Sequence, residues 1–366
     1  MKIKKIECFK VNLHLKKKFV ISHSTRSFSE SVFVKIELEN GILGWGESLP
    51  RNYVTGETQE SVIKVIEKKF VPLTKKIFPN SYAQLIKNLQ NIRVRKNENC
   101  ALCAFEIALL DAYGKYFKKS VSYIFGKKKK SRVTYSGAVS GDEGIELRKK
   151  LYMIKLFGLK RIKVKVGVGD DLKRLKTVRN VLGNKVDIRI DANCAWTVKQ
   201  TLNMIEKLKV IGLNGIEQPV KTIKEINQIT KQTNLPVIVD ESLCSIDDAK
   251  RLKNVIYDIR ISKCGGLLKS YEIYKFAEKN RRKMQVSSQL GCQVGESGIL
   301  SAAGRHFAFG VKYIEYLEGS YNNFLLKQDI TKEDLTFGMR GYGKPVSGYG
   351  LGVEVDEGRL KKFMID

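Results

Sequence analysis

From about Arg132 onward the chain alternates short β-branched runs with amphipathic helical stretches. The runs are RIKVKVGV, KVDIRIDAN, LNGIEQP, LPVIVDES, YDIRISKCGG, KMQVSSQLG and VKYIEYLEG, seven after a first candidate, VTYSGAVS. Strands separated by helices make parallel βαβ units, because a parallel connection must cross over and a helix spans the crossing. Eight such units predict a closed (β/α) barrel, an α/β fold of the TIM type.

The stretch before them has a different grammar. Ser31 to Glu39 (SVFVKIELE) alternates apolar and polar residues, then come Asn40-Gly41 and ILGWGE. Asn-Gly between alternating runs predicts a hairpin whose two turn residues both take positive φ. From about Thr58 to Lys118 the apolar spacing becomes helical, clearest between Ala101 and Tyr113. Residues 1–125 therefore read as an α+β unit and 126–325 as the barrel. The Gly-rich segment 326–366 (GMRGYGKPVSGYGLGVEV within it) is expected to fold back onto the first unit.

Composition narrows the functional classes. Lys and Arg number 67 against 38 Asp and Glu, a formal charge of +29. Such a charge raises nucleic acid as a partner. The lysines are spread along the whole chain, however, and the one dense run, Lys127 to Lys130, sits beside Gly126 with no RNA-binding aromatic motif, zinc finger or leucine heptad. A solvated Lys-rich surface is the expectation, without nucleic acid. No stretch of about 18 apolar residues predicts a membrane span. The N-terminal MKIKKIECFKVNLHLKKKF reads as a strand rather than a secretion signal. Seven scattered cysteines predict reduced thiols in a cytoplasm. Cys100 and Cys103 form a CxxC, but CALCAFEIALLDAYG has helical apolar spacing and predicts a buried helix face. His14, His23 and His306 are too dispersed for a metal cluster.

The informative polar residues end the strand runs: Lys163 and Lys165, Asp191, Glu217, Asp240, then Arg260 or Lys263. Lys165 to Asp191 is 26 residues, Asp191 to Glu217 is 26 and Glu217 to Asp240 is 23, about one βα unit each time. Successive barrel strands lie side by side, so these residues converge at the C-terminal mouth, where barrel active sites sit. Three converging carboxylates repel one another unless a cation lies between them, and hard oxygen ligands suit Mg2+. Lys163 and Lys165 point to the same face of their strand. A partly buried Lys beside another cation loses its proton more easily and serves as a base. Metal plus Lys base is a pattern for removing a proton α to a carboxylate, with the metal stabilising the enediolate.

These residues resemble the enolase superfamily, in its muconate-lactonizing subgroup, and most closely the dipeptide epimerases. The matching segments are GILGWGES, YVTGET, KVKVG from Lys163, DANCAW from Asp191, IEQP around Glu217, VDES around Asp240, KCGGL from Lys263 and GYGLGVEVD, spread over essentially the whole chain. The resemblance implies a modified TIM barrel under an α+β capping domain built from both chain ends. It implies Asp191, Glu217 and Asp240 as Mg2+ ligands, Lys165 as acid/base, and Lys163 as a charge stabiliser beside the substrate carboxylate. It also implies a substrate-closing loop around Val20 to Glu30, with His23, Ser24 and Arg26 as polar candidates, and Ser136 as a further substrate contact. The implied reaction is inversion of the C-terminal α-carbon of a dipeptide such as L-Ala-L-Glu, by a cytoplasmic enzyme that is commonly a homo-oligomer.

Two departures from the pattern stand out. The family's second lysine, at the end of the sixth strand, falls on Arg260 when anchored on Gly265-Gly266, and on Lys263 when anchored on the distance from Asp240. Arginine is a poor proton shuttle because it stays charged. Either Lys263 makes the second proton transfer, or Arg260 acts electrostatically and the reaction is another of the subgroup, such as N-acylamino acid racemisation, cycloisomerisation or dehydration. At the eighth strand the epimerases often carry Asp-x-Asp for the substrate's α-ammonium group. Here Glu318 and Ser320 stand in that region, and a carboxylate there would suit a cationic amine.

Overall fold

The computed structural model describes residues 1–21, 24–74, 79–167 and 169–365; the side chains of residues 19–25 fall outside the description, so His23 and the Ser24 side chain do too. Strands β1 (Ile3–Ile21), β2 (Ser24–Leu38) and β3 (Leu43–Ser48) form an antiparallel sheet. The β2–β3 turn differs from the expected two-residue form. Leu38 N donates to Ile42 O and Gly41 N to Leu38 O, and of Asn40 and Gly41 only Gly41 has positive φ, at 82°. This is a three-residue loop with Gly in the left-handed position.

Against this sheet lies the helix Asn99–Tyr116, which is buried all round from Asn99 to Gly114 rather than along one stripe. Gly44 and Gly46 of β3 make the contact close: a Cβ at Gly46 would overlap the Ala104 carbonyl. The helix carries Cys100 and Cys103, whose thiols burial pushes well above their ordinary range. All seven cysteines are free.

The barrel strands follow. The run VTYSGAVS splits into β4 (Val133–Thr134) and β5 (Gly137–Val139). Then come β6 (Arg161–Lys165), β7 (Asp187–Asp191), β8 (Gly215–Glu217), β9 (Val237–Val239), β10 (Val255–Ile259) and β11 (Ser287–Leu290). β5 to β11 form one parallel sheet in chain order. The eighth run, VKYIEYLEG, forms no strand among the described residues. It still joins the two edges of the sheet: Leu290 N donates to Tyr316 O, Glu318 N to Leu290 O, and Ser136 N to Leu317 O. Irregular backbone therefore completes the ring, satisfying edge groups that would otherwise be buried and unpaired.

The chain's last segment pairs twice with earlier parts. β12 (Tyr342–Gly343) runs antiparallel to β4, and β13 (Met364–Ile365) runs antiparallel to β1, Lys10 opposite Ile365. No helix among the described residues is long and apolar enough to cross a membrane.

Candidate active site at the barrel mouth

Parallel register lines up the charged strand ends. Lys165 stands opposite Asp191, and Asp191 opposite Glu217. Each is the last residue of its strand, while Asp240 and Arg260 are the first residues after β9 and β10. One row below, Lys163 stands opposite Arg189. Period-two alternation puts both rows inside the ring.

Every carboxylate of the upper row meets a cation. Lys165 Nζ donates to Asp191 Oδ2 at 2.5 Å and to Asn193 Oδ1 at 2.7 Å. Lys163 Nζ donates to Glu217 Oε1 at 2.8 Å and lies 3.7 Å from Asp191 Oδ2. Arg260 pairs through Nη2 with Asp240, through Nε with Asp258 at 3.3 Å, and through Nη1 with Gln293 Oε1 at 3.1 Å. The loops behind these carboxylates are constrained: Asn193, Cys194 and Gln218 have φ of 43°, 62° and 36°. Non-glycine residues in this region concentrate at functional sites.

Burial and neighbouring charge pull the acids apart. Burial and then Glu217 push Asp191 up to about 6. Glu217 is equally buried, yet Lys163 and Arg260 hold it well below the usual carboxylate range. Asp240 is likewise lowered against its burial, by Arg260 and Lys263. Burial, with Asp240 and Asp191 beside it, pushes Glu241 up to about 8. Lys163 is raised well above its ordinary value because Glu217 and Glu318 outweigh its burial.

The remaining candidates divide. Lys263 is fully buried and folds beneath Asp240, donating to Asp240 O at 2.5 Å, Asp240 Oδ1 at 2.9 Å and Asp258 O at 2.9 Å. All three of its N–H donors are thus spent on the chain. Glu318 joins the mouth from the closing segment, with Oε2 2.5 Å from Lys163 Nζ and Oε1 3.3 Å from Arg189 Nη2. Ser320 lies apart, its hydroxyl accepting from Arg305 Nη2 at 2.8 Å. Ser136 is buried, with a hydroxyl that makes no hydrogen bond. Arg26 pairs with Glu30 of its own strand at 2.7 Å.

Sequence reasoning missed Asp258. With Glu217 and Asp240 it forms the group whose carboxylate oxygens lie within 4.8 Å of one another, whereas Asp191 turns to Lys165. Asp258 and Arg189 each lie two residues before a residue singled out from the sequence, on the same face of their strands, so the alternation alone could have found them. A buried set of hard carboxylate oxygens fits a divalent cation of the Mg2+ kind.

The whole chain compares with known proteins along its length. Residues 4–126 match the profile of the mandelate racemase / muconate lactonizing enzyme N-terminal domain, and residues 147–359 the enolase C-terminal domain-like profile. The chain belongs to this family of the enolase superfamily. Within the family it is 29% identical to the N-succinyl-L-Arg/Lys racemase of Bacillus cereus, over 100% of this chain and 98% of the relative. The crystal structure of N-succinyl Arg/Lys racemase from Bacillus cereus superposes with a TM-score of 0.87 at 28% identity, covering 100% and 99%. A dipeptide epimerase from Enterococcus faecalis, complexed with Mg and L-Leu-L-Tyr, gives 0.83 at 26% identity, covering 97% of this chain and 100% of that one. The racemases and epimerases among these relatives are isomerases, and so is this member of the family.

Proposed function

We propose that the protein is a Mg2+-dependent racemase or epimerase that inverts the α-carbon of an N-acylated amino acid, either the C-terminal residue of a dipeptide or an N-acylamino acid. The observation that carries this reading is the register row Lys165–Asp191–Glu217 at the strand ends, with Asp240 on the next strand. Glu217 and Asp240, two of the three closely spaced carboxylates, would hold the metal together with Asp191, the third acid of the strand-end series, while Asp258 stays with Arg260. Bound there, Mg2+ supplies positive charge that stabilises the negative charge left on the carboxylate oxygens when the α-proton departs. Lys165 takes or returns that proton at Nζ, held by Asp191 and Asn193. Lys163, cationic beside Glu217 and Glu318, faces the same charge.

Arg260 favours a second reading. It stands at the mouth where a second proton donor would be needed, and it is always charged. Lys263, the other candidate, is spent on Asp240 and Asp258. Proton transfer on one face only, as in a cycloisomerisation, would leave Lys165 as the sole base. One experiment separates the readings. The Mg2+-loaded protein is incubated in D2O with L-Ala-L-Glu, L-Ala-L-Phe, L-Ala-L-Lys and their N-succinyl counterparts, and mass and chirality are read together. Deuterium gain with inversion supports racemisation, and gain with retention supports the one-sided reading. No gain with any compound would remove α-proton chemistry on acylated amino acids.

A further inference from the structure

The helix Gly144–Leu156, which follows β5 on the flank of the barrel, is apolar on two faces. Leu147, Leu151 and Ile154 are buried. On the other side Ile145, Tyr152, Met153 and Leu156 are 64%, 57%, 61% and 74% exposed. Ile145, Tyr152 and Leu156 follow one another at seven and four residues, so they form one stripe about 16 Å long, with Met153 on its edge. A single exposed apolar side chain is ordinary, but a stripe on a helix that has already buried its other face marks a contact surface.

The surface continues beyond that helix. Phe157 meets the exposed ring of Phe324 at 5.5 Å between centroids, and its carbonyl accepts the backbone N–H of Arg340, beside exposed Met339. Asn323, next to Phe324, is tied to the cap, its carbonyl accepting from Lys16 Nζ at 2.5 Å. The helix, the turns at Phe324 and Met339 and the cap ribbon at Lys16 to Lys18 therefore adjoin one another. The charged residues of the barrel mouth lie inside the ring and take no part in this face.

Charge decides what fits there. The carboxylates at the start of the helix are paired, Asp142 with Lys150, Glu143 with Arg174 and Glu146 with Lys149. Lys149 and, more weakly, Lys17 of the cap ribbon hold the Glu146 carboxyl below its ordinary value. Arg148, Lys155 and Arg340 are exposed and have no ion pair among the described residues, and Lys16, Lys17 and Lys18 are exposed beside them. The rim of the apolar stripe is thus cationic. Two copies of a chain of net charge +29 would press like rims together, which opposes association through this face. A nucleic acid would meet the cations but leave the aliphatic side chains against phosphate. A bilayer of anionic lipid matches both parts: its headgroups take the cations, the aliphatic side chains enter the acyl boundary and Tyr152 sits at headgroup level. We propose that this flank docks on an anionic lipid surface, lying in its interface without crossing it.

The test uses the full chain with vesicles of phosphatidylcholine alone and of phosphatidylcholine mixed with phosphatidylglycerol, read by co-sedimentation. The chain should bind the mixed vesicles at least about tenfold more tightly, and added salt should weaken that binding. Tyr152→Ser combined with Leu156→Ser should weaken it about tenfold or more. Arg148→Gln combined with Lys155→Gln should weaken it by a similar factor. All four positions are exposed, so both proteins should keep the parent's melting temperature, which checks that each has folded. Failure of the parent to bind the mixed vesicles overturns the proposal. So does equal binding by the Tyr152→Ser, Leu156→Ser protein, because net charge alone would then account for the adsorption. Self-association of the parent in analytical ultracentrifugation, abolished by that same apolar pair, would give the face to a second copy and overturn it too.

Discussion

The barrel mouth and the junction between cap and barrel both bury several carboxylates, but they satisfy them differently. At the mouth the partners are side-chain cations: Lys163, Lys165, Arg260 and Lys263. At the junction they are mostly backbone N–H groups. Glu47 of β3 accepts from Ser297 N at 3.1 Å and Leu300 N at 3.2 Å, at the start of the helix Gly298–Gly310. Glu106 accepts from Leu268 N at 3.1 Å, at the start of the helix Leu267–Met284. Each is a cap residue closing the N-terminus of a barrel helix, where unpaired N–H groups and the helix dipole favour an acceptor. Backbone donors are fixed and carry only partial charge, whereas lysine and arginine side chains can rearrange when a metal or substrate arrives. The first arrangement suits a permanent joint and the second a site.

Lys165→Ala should have the largest effect, lowering α-proton exchange by about 10³-fold while Mg2+ still binds. Calorimetric Mg2+ titration beside the exchange assay checks both halves, and unchanged exchange would remove Lys165 from the chemistry. Asp240→Asn comes next. It should weaken Mg2+ and also leave Arg260 and Lys263 short of a buried counter-charge, costing about 3–5 kcal/mol of stability. Thermal unfolding with and without Mg2+ measures the two effects separately.

The junction should show the smaller effect, mainly in its pH dependence. Burial pushes the Glu106 carboxyl up to about 8, far above its ordinary 4.5, despite the Leu268 N–H. A raised carboxyl contributes stability that is full below about 4.5 and lost as pH rises through about 8. Glu106→Gln keeps the acceptor and removes the titration. Its melting temperature should match the parent near pH 5 and exceed it by about 2 °C at pH 8.5. Parallel curves for the two proteins would show that Glu106 does not titrate there. Glu217 and Asp240 have the opposite sign: held below their ordinary values, they contribute stability above the usual carboxylate range that is lost on acidification.

Much of the site was legible because a barrel repeats. One βα unit places one strand end beside the last, so regular spacing alone brought Lys165, Asp191 and Glu217 into a single row. Period-two alternation oriented Lys163 with them. The hairpin was legible as a turn but not in its type, since the loop length is set by the cross-strand pairing of Leu38 with Ile42. The eighth run was misjudged as a strand because its alternation resembles one, whereas barrel closure uses only a few of its backbone groups.

The sequence by itself determined the parallel αβ grammar, the charged strand ends and the family resemblance. All of these arise from local periodicity or from residues a fixed distance apart. Tertiary structure alone decided which cation meets which acid. Lys163 reaches Glu318 across 155 positions, and Lys263 folds beneath Asp240. Among the described residues, Asp258 rather than Asp191 joins Glu217 and Asp240 within 4.8 Å. These pairings depend on how the ring closes and how deep each side chain sits within it, and no local pattern encodes a distance across a barrel.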